Sequence, residues 1–91
     1  MVYVDDMNAP ATVGRLHSIW CHMYADTDAE LHAMARRIGL RRSWFQYSQH
    51  LPHYDVTAQK RVQALKAGAI PTKWPSGVKS MILKRRGAEN G

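Results

Sequence analysis

Ninety-one residues suffice for one small domain and leave no room for two cores. A hydrophobic content of 45% argues against global disorder, no apolar run approaches the ~20 residues of a membrane helix, and a single cysteine excludes an intrachain disulfide. Thirteen Lys and Arg against seven Asp and Glu give a formal charge of +6, which favours an anionic partner: nucleic acid, a nucleotide or an acidic protein. Part of that charge sits near the C-terminus, in Lys79, Lys84, Arg85 and Arg86, and the remainder of the chain is only mildly basic. The first residues do not resemble a signal peptide, so a cytoplasmic protein with no membrane association is expected. The modest core of so short a chain leaves homo-oligomerisation or a ligand as possible sources of added stability.

In chain order, Val2-Tyr3-Val4 reads as a short strand with Asp5 and Asp6 at its end. Met7 to Arg15, with Asn8, Pro10 and Gly14, reads as a loop. Ile19 to Tyr24 alternates Ile19, Cys21 and Met23 with Trp20, His22 and Tyr24, a strand apolar on both faces and expected to be covered on both. Thr27 and Glu30 have capping-box spacing for a helix from Asp28 to Ile38. Leu31, Met34, Ala35 and Ile38 give its apolar stripe, Asp28, His32 and Arg36 line the stripe's edge, and Gly39 stops it. Trp44 to Tyr47 has the aromatic weight of a third strand, Ser48 to Pro52 is a turn or loop, and His53 to Val56 leads into the next helix. That helix is capped by Thr57 and runs from Ala58 to Ala67, with Gly68 as its stop. Ala69 to Thr72 reads as an edge strand, where Pro71 is tolerated. Val78, Met81 and Ile82 have the spacing of a short terminal helix.

The order strand-strand-helix-strand-helix-strand-helix predicts a single α/β domain over 1–86 and a flexible tail over 87–91. Its sheet is expected to have three to four strands, mainly parallel, with two main helices and a short C-terminal one. A ligand crevice is expected along the edge where strand ends and helix starts meet.

The blocks Tyr3-Val4-Asp5-Asp6, Cys21-His22-Met23-Tyr24-Ala25-Asp26, Glu30-Leu31-His32, His53-Tyr54-Asp55-Val56 and Gly68-Ala69 resemble a family of small bacterial and phage proteins, domain of unknown function 4031. The resemblance spans roughly residues 2 to 72 and excludes the tail after Lys73. It implies a compact single domain and supplies no catalytic assignment, cofactor or ligand set.

The polar residues admit three readings. The first is a binding module without a cofactor for a phosphate-bearing small molecule, plausibly a nucleotide; in a phage setting it would sequester a host signalling nucleotide. Two helix N-termini offer amides to an anion, Arg15, His22, His32, His53 and Arg61 hold the phosphates, and an aromatic, Tyr54 or one of Trp20, Tyr24 and Trp44, packs on the base. The second is a metal-dependent phosphoesterase or nuclease, with Asp5, Asp26, His53 and Asp55 around a divalent ion. No dense ligand motif such as H-E-x-x-H is present. The third is a basic module docking on an acidic host protein through Arg36, Arg37, Arg41, Arg42 and the tail. Against all three stands the bland alternative for each residue alone: Asp26 and Asp55 as turn formers, the histidines as hydrogen-bonded structural groups, Trp20, Tyr24, Trp44 and Tyr54 as core, and Cys21 as a small buried hydrophobe. No nucleophile elbow, dinucleotide fingerprint or phosphate-loop lysine occurs.

Overall fold

The computed structural model describes residues 1–47 and 51–90. Six strands and three helices follow one another as β1 (Val2–Val4), β2 (Ala9–Val13), β3 (Leu16–Ala25), α1 (Asp28–Arg37), β4 (Phe45–Gln46), β5 (His53–Thr57), α2 (Ala58–Lys66), β6 (Ile70–Pro71) and α3 (Ser76–Asn90). A single 3-10 turn over Arg42–Trp44 precedes β4.

The sheet has the order β4-β5-β3-β1-β6, with β2 paired to the first half of β3. The expected mainly parallel sheet is not what forms. Among the described residues only β1 and β6 pair in parallel; β1–β3, β2–β3, β3–β5 and β4–β5 are antiparallel. The strand-helix-strand units are present, but their strands are not neighbours. The crossover through α1 carries β3 to β4 with β5 inserted between them, and the crossover through α2 carries β5 past β3 and β1 to β6. Inserting β5 turns the first unit into antiparallel pairs, and inserting β3 and β1 leaves the second with only its β1–β6 contact parallel.

Two segments account for the extra strands. The stretch expected as a loop from Met7 to Arg15 contains β2, joined to β3 by Gly14-Arg15. Gly14 has φ +61°, which a tight Gly-X hairpin turn requires at its first central position. Pro10 is accommodated because β2 is an edge strand. His53–Thr57, expected as a lead-in to α2, is itself β5. The third strand expected over Trp44 to Tyr47 is reduced to the two residues of β4. The loop expected over Ser48 to Pro52 falls partly outside the described residues.

Both main helices begin where expected. Thr27 and Thr57 accept hydrogen bonds from the Glu30 and Lys60 amides. The Glu30 carboxylate does not reach back to the Thr27 amide; it takes the Thr27 hydroxyl and the N-terminal ammonium instead. Leu31 and Ala35 of α1, its C-cap Ile38, and Ala64 of α2 bury against Val2, Val4, Cys21, Met23, Ala25, Tyr54 and Val56 on one sheet face. The terminal helix is the longest, 15 residues, and continues past residue 86 to Asn90. It covers only part of the other sheet face, where Met81 packs with Tyr24 and Leu51, and Tyr3, Val78 and Ile82 lie against them. Gly77 lets it approach: a Cβ there would lie 2.6 Å from the Tyr24 hydroxyl and 2.8 Å from Thr72 Cβ.

The distal end of β3 is therefore not sealed on both sides. Cys21 and Met23 to Ala25 are buried, whereas Leu16 and Ile19 are 52% and 39% exposed. Half of one sheet face stays open, and His22, Asp55 and Thr57 project onto it.

A candidate metal centre on the open sheet face

Strand register assembles the site. Asp5 follows β1 directly and its amide bonds the His22 carbonyl at 3.0 Å; on the other side His22 pairs with Asp55 of β5. Cross-strand neighbours on one face have Cβ atoms about 5 Å apart, so three adjacent strands place Asp5, His22 and Asp55 in a row. His53, two residues before Asp55, shares its face by the period of a strand.

The hydrogen bonds fix how these groups point. Asp5 is fully buried. Its Oδ1 accepts from the His22 amide at 2.9 Å and the Met7 amide at 3.2 Å, and its Oδ2 lies 2.7 Å from His22 Nδ1. Burial alone would raise the Asp5 pKa, but the His22 ring and the two amides outweigh it and hold it below the usual carboxylate value. An ionised carboxylate only accepts, so Nδ1 of His22 carries the hydrogen and Nε2 is the free donor atom. His53 repeats the arrangement: its Nδ1 donates to the Leu51 carbonyl at 2.9 Å. Gln46 of β4 donates its side-chain amide to Asp55 Oδ2, leaving Oδ1 for other partners.

The three remaining atoms meet. His53 Nε2 is 3.4 Å and His22 Nε2 is 3.9 Å from Asp55 Oδ1, and donor atoms of the three residues lie within 4.8 Å of one another. Ligands about 2.0–2.1 Å from a tetrahedral ion are roughly 3.3 Å apart, so the His53–Asp55 pair already has ligand spacing and His22 must move inward to join it. Charge supports a cation at this point. The His53 contact holds Asp55 below its ordinary pKa; burial pushes His53 down, but Asp55 and the Leu51 carbonyl more than compensate and leave it raised. Aromatic rings wall the cluster: Trp74 lies 5.0 Å from the His22 ring and His53 meets it edge-on at 5.1 Å.

The residues singled out from sequence separate into groups. His22, His53, Asp5 and Asp55 converge, and Arg61 reaches them from behind, its Nε donating to the Asp5 carbonyl at 2.7 Å. Arg15 is exposed in the β2–β3 turn, seven residues along β3 from His22, or roughly 20 Å at 3.3 Å per residue. His32 and Tyr54 bond each other at 2.9 Å on the opposite face of the sheet. Burial lowers the His32 pKa, with Arg42 adding to the effect, and Tyr54 is fully buried. Asp26 is engaged elsewhere, by Lys84 at 2.6 Å, the N-terminal ammonium at 3.1 Å and the Tyr3 hydroxyl. Cys21 is buried in the core and burial raises its thiol pKa, as befits a small hydrophobe. Of the four residues expected around an ion, His53 and Asp55 lie in the cluster, Asp5 bonds His22 instead, and Asp26 lies elsewhere; His22, a metal candidate in sequence only alongside these, is the third member. The i, i+2 spacing of His53 and Asp55 was the available signal, once that segment is a strand.

Asp55 and Gln46 also border a groove of about 730 Å³ that runs under the β2–β3 hairpin. Leu16, Trp20, Trp44 and Phe45 give it apolar walls, and Asp55 is its only acidic lining residue.

A small mixed α/β domain with a polar cluster on its open sheet face is the class these features define. The chain belongs to the DUF4031 family, described as a protein of unknown function, whose model matches residues 2–85. The match takes in most of α3, beyond the limit near residue 72 expected from the sequence blocks. No curated protein and no solved structure matches the chain. Among the described residues no helix is long and apolar enough to cross a membrane.

Proposed function

We propose that the protein is a metal-dependent phosphoesterase whose divalent ion is held by His22 Nε2, His53 Nε2 and one Asp55 oxygen. The observation that carries this reading is the outer layer. Each of the three groups has its other polar atom tied down, His22 to Asp5, His53 to the Leu51 carbonyl and Asp55 to Gln46. Metal-binding histidines characteristically donate their second ring N–H to a carboxylate or carbonyl, which fixes tautomer and orientation. Both Nε2 atoms are turned toward the same Asp55 oxygen, so the three groups share one point.

Three protein ligands leave open positions, as in hydrolytic zinc centres. A divalent ion there would supply Lewis acidity toward a phosphoryl oxygen and acidify a water molecule. The overall charge of +6 favours an anionic substrate. In the net reaction the water oxygen forms a new bond to phosphorus, the bond to the ester oxygen breaks, and a water proton ends on that oxygen. Asp5 acts as a positioning residue, holding the His22 ring, and Trp74 limits its rotation.

The nucleotide-binding reading without a metal draws on a more dispersed set, since Arg15, His32 and Tyr54 lie away from His22 and His53. The test is turnover of a model phosphodiester with added Zn, Mn or Mg ions. The expected result is metal-dependent hydrolysis that falls at least a hundredfold in His53→Ala and Asp55→Asn. Hydrolysis equal in these variants, or none with any ion, overturns the proposal.

A further inference from the structure

The groove that opens at Asp55 has a chemistry of its own, and from it we infer the substrate class: single-stranded nucleic acid, its bases stacked along the groove and one phosphate at the metal centre. The inference rests on the phosphoesterase reading for the reaction, but the groove argues for the strand independently. Its walls are aromatic and aliphatic, which suits exposed base faces and not phosphates alone. Trp44 is 50% exposed at the groove and Tyr47, adjoining β4, is 81% exposed, so stacking surfaces continue beyond it. Cations sit beside these rings. The Arg41 guanidinium lies 5.8 Å over the Trp44 ring and that of Arg42 5.6 Å over Phe45. No carboxylate among the described residues pairs with either arginine. Arg41, free of carboxylates beside the exposed Trp44 ring, combines backbone attraction with base stacking, while Phe45 is half-buried and Arg42 over it adds charge.

A duplex hides its base faces and offers only edges and phosphates to such a groove, so single strands are the matching form. A mononucleotide would use one ring and leave the remaining platform and both arginines without a partner. Sequence preference is not expected, because stacking on Trp44 and Trp20 accepts every base.

Binding separates from chemistry in the experiment. Fluorescence anisotropy of a labelled oligothymidine, and of its duplex form, is measured with the full chain in EDTA, and metal uptake is measured separately by calorimetry. The expected result is preferential binding of the single strand, weakened about tenfold by Trp44→Ala and restored largely by Trp44→Phe. Arg41→Glu with Arg42→Glu should weaken it further and lower the salt dependence by about one unit per residue. Both sites are exposed, and circular dichroism checks that the variants fold. Equal affinity for duplex and single strand, indifference to Trp44→Ala, or full competition by a mononucleotide at the same affinity overturns the inference. Metal uptake without oligonucleotide binding removes the strand and leaves the metal centre; oligonucleotide binding without metal uptake removes the phosphoesterase reading and leaves the groove.

Discussion

His22 owes its role to a neighbour. With Asp5 ionised at its Nδ1, the ring presents Nε2 as a lone pair. Asp5→Asn keeps an oxygen for the His22 and Met7 amides but places an N–H against Nδ1. The ring must then move its proton to Nε2, where a metal would bind. The expected outcome is a reversed His22 tautomer, visible in long-range nitrogen–proton NMR spectra, and a 10–100-fold loss of metal affinity. An unchanged tautomer would contradict the assigned role of Asp5. His32 is the internal control. It is a histidine with a hydrogen bond of similar length, yet it faces Tyr54 through the other side of the sheet. Tyr54→Phe should cost about 1–2 kcal/mol by leaving His32 without its partner, and denaturant unfolding reads that loss. Metal affinity should not change.

Among the elements, helices were easier to read than strands. Thr27, Thr57 and the apolar spacing Leu31, Ala35, Ile38 mark α1 and α2 because local rules govern helix caps and stripes. β5 escaped because His53-Tyr54-Asp55-Val56 alternates polar and buried residues while its polar members have an internal purpose. A polar residue facing a site resembles one facing water. Strand order escaped for another reason: whether β5 lies beside β3 or beyond it is a long-range choice that no local motif records. The candidate site was therefore legible as a set of residue types, His and Asp on neighbouring blocks, and not as a list of partners. α3 departed from expectation through its basic residues. Arg85 donates to the Ala25 carbonyl at 2.8 Å and 3.0 Å and to Asp28 at 2.9 Å, and Lys84 pairs with Asp26. The Lys84 bond is the main reason the Asp26 pKa lies below its ordinary 3.8, with the N-terminus assisting. A carboxylate depressed on folding stabilises fully above its unfolded pKa and loses that contribution as pH falls through the folded value. Lys84→Met should therefore be less stable than the parent near neutral pH, and the gap should close as pH drops below about 4. Thermal melts across that range provide the check; a gap independent of pH would show that the ion pair is not what anchors α3.

At the scale of the whole molecule, coverage and charge divide the surface. α1 and α2 close one sheet face, and α3 closes only the end of the other, near Tyr24 and Met81. The uncovered part carries His22, His53, Asp55 and the groove beneath the hairpin. Lys84 and Arg85 are neutralised internally, whereas Arg36, Arg37, Arg41 and Arg42 remain exposed at the end of α1 and in the segment before β4. Two of these cations, Arg41 and Arg42, stand next to the aromatic residues Trp44 and Phe45 that border the groove. The phosphoesterase reading depends on one ion being held by two imidazoles and one carboxylate. X-ray absorption spectroscopy of the zinc-loaded protein measures that directly. The account predicts one tightly held ion per chain with two imidazole ligands and oxygen donors at about 2.0–2.1 Å. A protein that loses all zinc on dialysis, or whose ion keeps the same shell in His22→Ala and His53→Ala, would contradict it.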